Sequence, residues 1–291
     1  MPRLLSLKTT LLVGAVAMIT KVFLSRKRKE IFDSFDTEQG VLITGGTTGL
    51  GLEMAKLFAK HDKTELVLLC YKRCLKNPNT TFSGEFQTKV TQYELDLSKT
   101  ETLAEKIRKI YRKHPKLGIL VNNAGMVEIG PFFALPNLDV FERTMRVNFH
   151  APVTLTKVFM EEYKKGHIAF ITSICGHIHS FALTSYVASK HALTGFQKTL
   201  NLENKEQGLP FTTTNISPYT FNSTLFKKEV QDLINKSPLP SQDIRDVAWA
   251  AYEAIKSKDE EVIFPWYWKI IAVFSNALPR SWEDSINWLY I

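Results

Sequence analysis

Two periods of apolar and polar positions alternate along the chain. Short stretches at 40–44, 65–70, 89–95, 117–122, 168–172 and 211–216 are rich in aliphatic and β-branched residues, and most are bounded by polar or turn-forming residues. Each has strand length, which predicts six strands. Between them, apolar residues recur at helical spacing. Leu103, Ile107 and Ile110 mark one face of a helix over 100–112. Helices are also expected near 50–60, 141–163 and 185–204. Strands alternating with helices predict an α/β fold, with a doubly wound parallel sheet covered by helices on both faces. In such a sheet, ligands lie outside the carboxyl ends of the strands.

The first 30 residues break this rhythm. Residues 4–24 are mostly apolar, with Lys8 and Lys21 near the ends. As a helix, 21 residues at ~1.5 Å each span about 31 Å, the thickness of a hydrocarbon core. The two lysines can snorkel to the headgroups. Arg26, Lys27, Arg28 and Lys29 follow, and the positive-inside bias puts them on the cytosolic side. A membrane anchor over 1–30 is the leading expectation. A cleaved leader ending near Ala15-Val16-Ala17 and a helix buried in a soluble domain are the alternatives.

Charge supports the first reading. The chain has 291 residues and a formal net charge of +8. Seven basic side chains and one acidic one lie within residues 1–30, so six of the eight net charges sit there. The remainder is close to neutral, which argues against nucleic acid and for a membrane or lipid-droplet surface as the partner. Three cysteines, Cys70, Cys74 and Cys175, are a poor disulfide framework and have no metal-site spacing. Free thiols and no metal are expected. Sequons at Asn79, Asn215, Asn222 and Asn235 do not prove secretion.

Four motifs carry candidate chemistry. Thr44-Gly-Gly-Thr-Thr-Gly-Leu-Gly51 lies between the first strand and first helix. Gly45 can make the tight turn, Gly49 can let backbone approach a pyrophosphate, and Gly51 can allow close helix–strand packing. Asn122-Asn-Ala-Gly125 closes the fourth strand. Ser173 ends the fifth, where its hydroxyl can hold a substrate oxygen. Tyr186 and Lys190 share one face of a helix, and an ammonium beside a phenol lowers its pKa. That makes a proton donor or acceptor useful near neutral pH. Asn148 lies mid-helix between apolar neighbours, either as a satisfied core amide or as part of a site.

In order and spacing, these motifs resemble the short-chain dehydrogenase/reductase family over nearly all of residues 37–265. The resemblance implies a Rossmann-like domain and an NAD(P)-dependent oxidoreductase that interconverts hydroxyl and carbonyl groups. It implies a catalytic set of Asn148, Ser173, Tyr186 and Lys190. Tyr186 would be the general acid/base and Ser173 would orient the substrate oxygen. Lys190 would bind the nicotinamide ribose and depress the Tyr186 pKa, while Asn148 would support a relay water. The implied cofactor set is Thr44, Gly45, Thr47, Gly49, Leu50 and Gly51 in the loop, Lys72 after the second strand, and Asp96 and Leu97 after the third. It continues with Asn122, Ala124 and Gly125 after the fourth strand, Tyr186 and Lys190 themselves, and Pro218 and Ser223 after the sixth. Pro218-Tyr219 with Leu225-Phe226, Thr144-Met-Arg-Val-Asn148 and Gly166-His-Ile168 resemble the branch holding microsomal retinol dehydrogenases and lipid-droplet 17β-hydroxysteroid dehydrogenases. Members of that branch carry an N-terminal hydrophobic anchor.

The second strand ends in Leu69-Cys-Tyr-Lys-Arg73 without the carboxylate that binds the NAD ribose. NADP(H) is therefore favoured over NAD(H). A retinoid, steroid or fatty alcohol or aldehyde is the expected substrate class, and a homodimer is open. Location at the endoplasmic reticulum membrane or a lipid droplet, facing the cytosol, follows from the anchor. The aromatic segment 266–291, beginning Trp266-Tyr-Trp268, is expected to help form a membrane-facing substrate entrance, with packing on the core as the alternative. A catalytically quiet nucleotide-binding scaffold is the competing function.

Overall fold

A computed structural model describes residues 39–61, 65–72, 75–76, 88–222 and 241–277. All belong to one compact unit, Thr37–Ile291. The expected N-terminal anchor, Ser223 and residues 278–291 lie outside the described residues. Among the described residues, no helix is long and apolar enough to cross a membrane.

Seven strands form one parallel sheet: β1 (Gly40–Thr44), β2 (Leu66–Cys70), β3 (Val90–Glu94), β4 (Leu117–Asn122), β5 (Gly166–Ile171), β6 (Phe211–Pro218) and β7 (Glu261–Phe264). Their spatial order is β3-β2-β1-β4-β5-β6-β7. Every residue of β1, β2 and β4 is buried, as uninterrupted aliphatic runs demand when helices cover both faces. The edge strands β3 and β7 are half-exposed and carry polar residues.

The main helices are α1 (Gly49–His61), α2 (Thr100–Lys113), α3 (Asp139–Met145), α4 (Ala151–Glu162), α5 (Thr184–Glu206), α6 (Ile244–Ser257) and α7 (Tyr267–Ala277). A wider π turn, Arg146–His150, joins α3 to α4. Leu103, Ile107 and Ile110 are buried on one face of α2, as their spacing predicts. Strand order reverses between β1 and β4. The loops leaving those two strands must part there, and a crevice opens at their carboxyl ends.

The cysteine expectation needs correcting. Cys70 is disulfide-bonded and Cys175 is free. An odd count excludes full pairing but not a single bridge. The sequon at Asn215 is fully buried within β6, so the folded chain offers no acceptor there.

Candidate active site

The crevice has a volume of about 890 Å³ and is lined by residues from the ends of six strands. At its β1 side the backbone makes the shape. Gly45 and Gly49 have φ of 64° and 54°, in the left-handed region that glycine enters without strain. At Gly51 the issue is space. A Cβ there would lie 2.3 Å from the Gly45 carbonyl oxygen.

Polar bonds stitch this loop to the end of β4. The Thr44 hydroxyl accepts from the backbone N–H of Asn123 at 2.9 Å and of Ala124 at 2.8 Å. The Asn123 amide donates to the Thr44 carbonyl at 2.8 Å. Thr44 is therefore a buried strut, while Gly45, Thr47, Gly49, Leu50, Ala124 and Gly125 line the crevice. Asn122 turns away from it, donating to the Thr156 hydroxyl on α4 at 3.3 Å. Sequence reasoning missed Asn123, although it sits inside the Asn-Asn-Ala-Gly motif.

Lys72, Asp96, Leu97 and Pro218 also line the crevice. Burial pulls the Asp96 carboxyl upward. Hydrogen bonds from Ser98, at 2.7 and 3.0 Å, and the nearby Arg143 and Lys99 outweigh that pull and hold it below the usual carboxylate range. Arg143 lines the crevice too and was not anticipated.

Ser173, Tyr186 and Lys190 converge on the same crevice. Ser173 lies two residues past the end of β5, and its hydroxyl accepts from Cys175 N–H at 3.1 Å, which starts the short turn Ile174–Gly176. Tyr186 and Lys190 lie one turn apart on α5, with the Lys190 Nζ 5.5 Å from the Tyr186 ring centre. The ammonium donates to the Ile171 carbonyl at 2.9 Å. Burial brings the Lys190 pKa down to about 8, with Cys175 opposing. Burial also raises the Tyr186 pKa above its ordinary value, Cys175 adds to the rise, and a hydrogen bond with Ser173 resists it. Burial is thus the largest influence on Tyr186, and the depression expected from Lys190 is not among the causes of the shift.

Asn148 is fully buried within the π turn. Its Oδ1 accepts from Met126 N–H at 2.9 Å, and its Nδ2 donates to the Met126 carbonyl at 2.9 Å and the Ser189 hydroxyl at 3.0 Å. Ser189 in turn donates to the Tyr186 carbonyl at 2.7 Å. With both ends of its amide engaged, the Asn148 side chain braces the post-β4 loop against α5. Ser189 was also missed, although it lies within Tyr-Val-Ala-Ser-Lys.

The far half of the crevice is apolar. Met126, Ile129, Ile178, Phe181, Leu183 and Tyr219 line it. Tyr219 stacks on Trp268, with ring centres 4.3 Å apart, and Trp268 is fully buried. The first aromatics of the 266–291 segment therefore include a residue packed behind the pocket wall rather than exposed at an entrance. Among the described residues, no cluster of His, Cys, Asp or Glu could hold a metal ion.

The family model for short chain dehydrogenases matches residues 39–234. Mouse "Dehydrogenase/reductase SDR family member 7B" (Mus musculus) is 29% identical over 252 residues, covering 82% of this chain and 76% of that one. "Estradiol 17-beta-dehydrogenase 11" of Homo sapiens is 34% identical over 204 residues, covering 69% of this chain and 65% of its own length. Among solved structures, a short-chain dehydrogenase from Sphingobium yanoikuyae in complex with NADPH superposes with a TM-score of 0.71, at 24% identity, over 82% of this chain and 94% of that one. One from Burkholderia phymatum in complex with NAD gives 0.72 at 18% identity, over 84% and 95%. Those two likenesses are likenesses of fold.

Proposed function

The chain belongs to the short chain dehydrogenase family of oxidoreductases, and from that premise we propose that it interconverts a hydroxyl and a carbonyl on a lipophilic substrate with a nicotinamide cofactor. The carrying observation is the convergence of Ser173, Tyr186 and Lys190 at the meeting point of a glycine-lined cleft and an apolar pocket.

The cleft fits a dinucleotide. The φ values of Gly45 and Gly49 bend the loop, and the N-terminus of α1 opens beside it toward the crevice. Thr47, Gly49 and Leu50 would hold the pyrophosphate, Asp96 and Leu97 the adenine, and Ala124, Gly125, Tyr186, Lys190 and Pro218 the nicotinamide half. Bound there, the nicotinamide would supply or accept the hydride. The protein's share is the proton and the placement. Ser173 donates to the substrate oxygen and fixes it beside the Tyr186 hydroxyl. In the reducing direction Tyr186 gives its proton to that oxygen, and its raised pKa keeps it protonated until then. Lys190, charged at neutral pH despite burial, stabilises the phenolate left behind.

Lys72 beside the crevice, with no carboxylate at the end of β2, supports NADP(H) over NAD(H) and therefore reduction. A retinoid, steroid or fatty aldehyde suits the apolar half. The test is turnover of retinal, steroid ketones and fatty aldehydes with NADPH and with NADH, beside Tyr186→Phe. No turnover across the panel favours a nucleotide-binding scaffold. Unchanged turnover in Tyr186→Phe removes the tyrosine from acid/base work.

Attachment to the endoplasmic reticulum membrane or a lipid droplet rests on residues 4–24. The basic run at 26–29 favours a cytosolic face, whereas the Cys70 disulfide favours the lumen. Protease protection in intact microsomes decides between the two faces.

A further inference from the structure

Ten large apolar side chains are exposed among the described residues, and five of them cluster in two short stretches: Ile129, Phe132, Phe133 and Leu138 in one, and Phe181 in the other. Phe133 is 92% exposed and Phe181 68%. The stretches meet, because Gly130 N–H donates to the Ala182 carbonyl at 2.9 Å. Phe132 is propped against Phe141, ring centres 6.1 Å apart. Ile129 and Phe181 also line the crevice, so the exposed apolar surface runs without interruption into the apolar half of the pocket. Large contiguous apolar patches are rare on soluble surfaces and mark contact sites.

The position of the patch selects its occupant. Ile129 and Phe181 belong both to the patch and to the crevice lining, so a protein seated on the patch would cover the apolar side of the crevice. A lipid phase covers the same surface and leaves the passage open to a lipophilic molecule. We propose that Ile129, Phe132, Phe133, Leu138 and Phe181 dip into a lipid surface, so that the crevice mouth opens within lipid. The route for substrate rests on the lipophilic-substrate reading above, but the contact itself does not. Charges flanking the patch are mixed: Glu128, Asp139 and Glu142 against Arg143 and Arg146. Insertion is therefore driven by apolar burial and does not require anionic headgroups.

The test uses the full chain in phosphatidylcholine vesicles with an environment-sensitive fluorophore on Phe133→Cys. The control is Lys116→Cys, an exposed site before β4 at the opposite end of the sheet. Nitroxide-bearing phosphatidylcholine should quench the label at 133 several-fold more than the label at 116, with or without phosphatidylserine. Equal quenching at the two sites overturns the proposal. So does a blue shift at 133 that grows with protein concentration in the absence of vesicles, which would make the occupant a second copy.

A second arm uses Phe133→Asp/Leu138→Asp, neither of which lines the crevice. Turnover of a vesicle-dissolved aldehyde should fall roughly tenfold, while turnover of a short water-soluble aldehyde stays unchanged. Equal rates with both substrates overturn the route. Selective quenching in an enzyme that turns over no lipophilic carbonyl sustains the lipid contact and removes the substrate reading instead.

Discussion

At the β1–β4 end of the crevice, shape is made by backbone. Positive φ angles, a missing Cβ and hydrogen bonds from Thr44 and Asn123 hold two loops together, and few of those features depend on large side chains. At the far end, shape is made by the side chains of Met126, Ile178, Phe181 and Tyr219, three of them without a hydrogen-bonding group to lose. The first kind of construction recognises a ligand common to many proteins. The second can change its ligand while the first stays still. Ser173, Tyr186 and Lys190 stand at the seam between them.

The strongest way to break this division is at the seam. Tyr186→Phe should lower kcat by about 10² to 10⁴-fold while leaving the dissociation constant for NADPH nearly unchanged in a fluorescence titration. A matching loss of cofactor affinity would make the Tyr186 hydroxyl a nicotinamide contact first and a proton donor second.

Gly51→Val tests the backbone half. Its side chain would collide with the Gly45 carbonyl and the Asn123 amide, so NADPH affinity should fall by more than tenfold, about 1.4 kcal/mol or greater. Asn148→Ala strips partners from half-buried Met126 backbone groups and from the buried Ser189 hydroxyl, and should cost about 1–3 kcal/mol in denaturant unfolding. Met126→Ala tests the apolar half. The KM for a long-chain substrate should rise by about tenfold, with cofactor binding unchanged.

The smallest effect lies outside both halves. Burial, with Lys258 adding to it, brings the His167 pKa down to about 3, and the ring bonds Thr212 and Thr214 at 2.8 and 3.1 Å. The unfolded chain takes up this proton near pH 6.5 and the folded chain only near 3. Stability contributed by neutral His167 is therefore present above pH 6.5 and declines as pH falls toward 3. Thermal melts of His167→Gln should show a shallower acid slope, with turnover at pH 7 unaffected.

Strands β1, β2, β4 and β5 were legible because burial on both faces leaves apolar runs, and β6 because its β-branched threonines and Ile216 favour a strand. β7, α6 and α7 were not anticipated. β7 is a four-residue edge strand whose half-exposed residues mix with polar ones. The Ser173, Tyr186 and Lys190 positions could be read from spacing, because a strand end and one helical turn fix them. The environment of Tyr186 could not, since its pKa rises through burial supplied by residues distant in sequence. The engagement of Asn148 depends on a π turn, and one extra residue in a helical turn leaves no mark on apolar periodicity. The rim at 129–138 has no periodicity to read at all.

Gly49 and Gly51, two residues apart, face different evolutionary futures. A Cβ at Gly49 would meet no protein atom within 4 Å, so for folding alone only its φ of 54° restricts it. Asn, which visits that conformation at modest cost, should therefore keep the fold in a library selected for folding, while NADPH affinity falls because the backbone's close approach to the pyrophosphate is lost. At Gly51 the obstacle is a carbonyl oxygen, and no side chain avoids it. One glycine is thus kept by the fold and the other by the ligand, so a lineage that gave up the cofactor could vary at 49 while 51 stayed glycine.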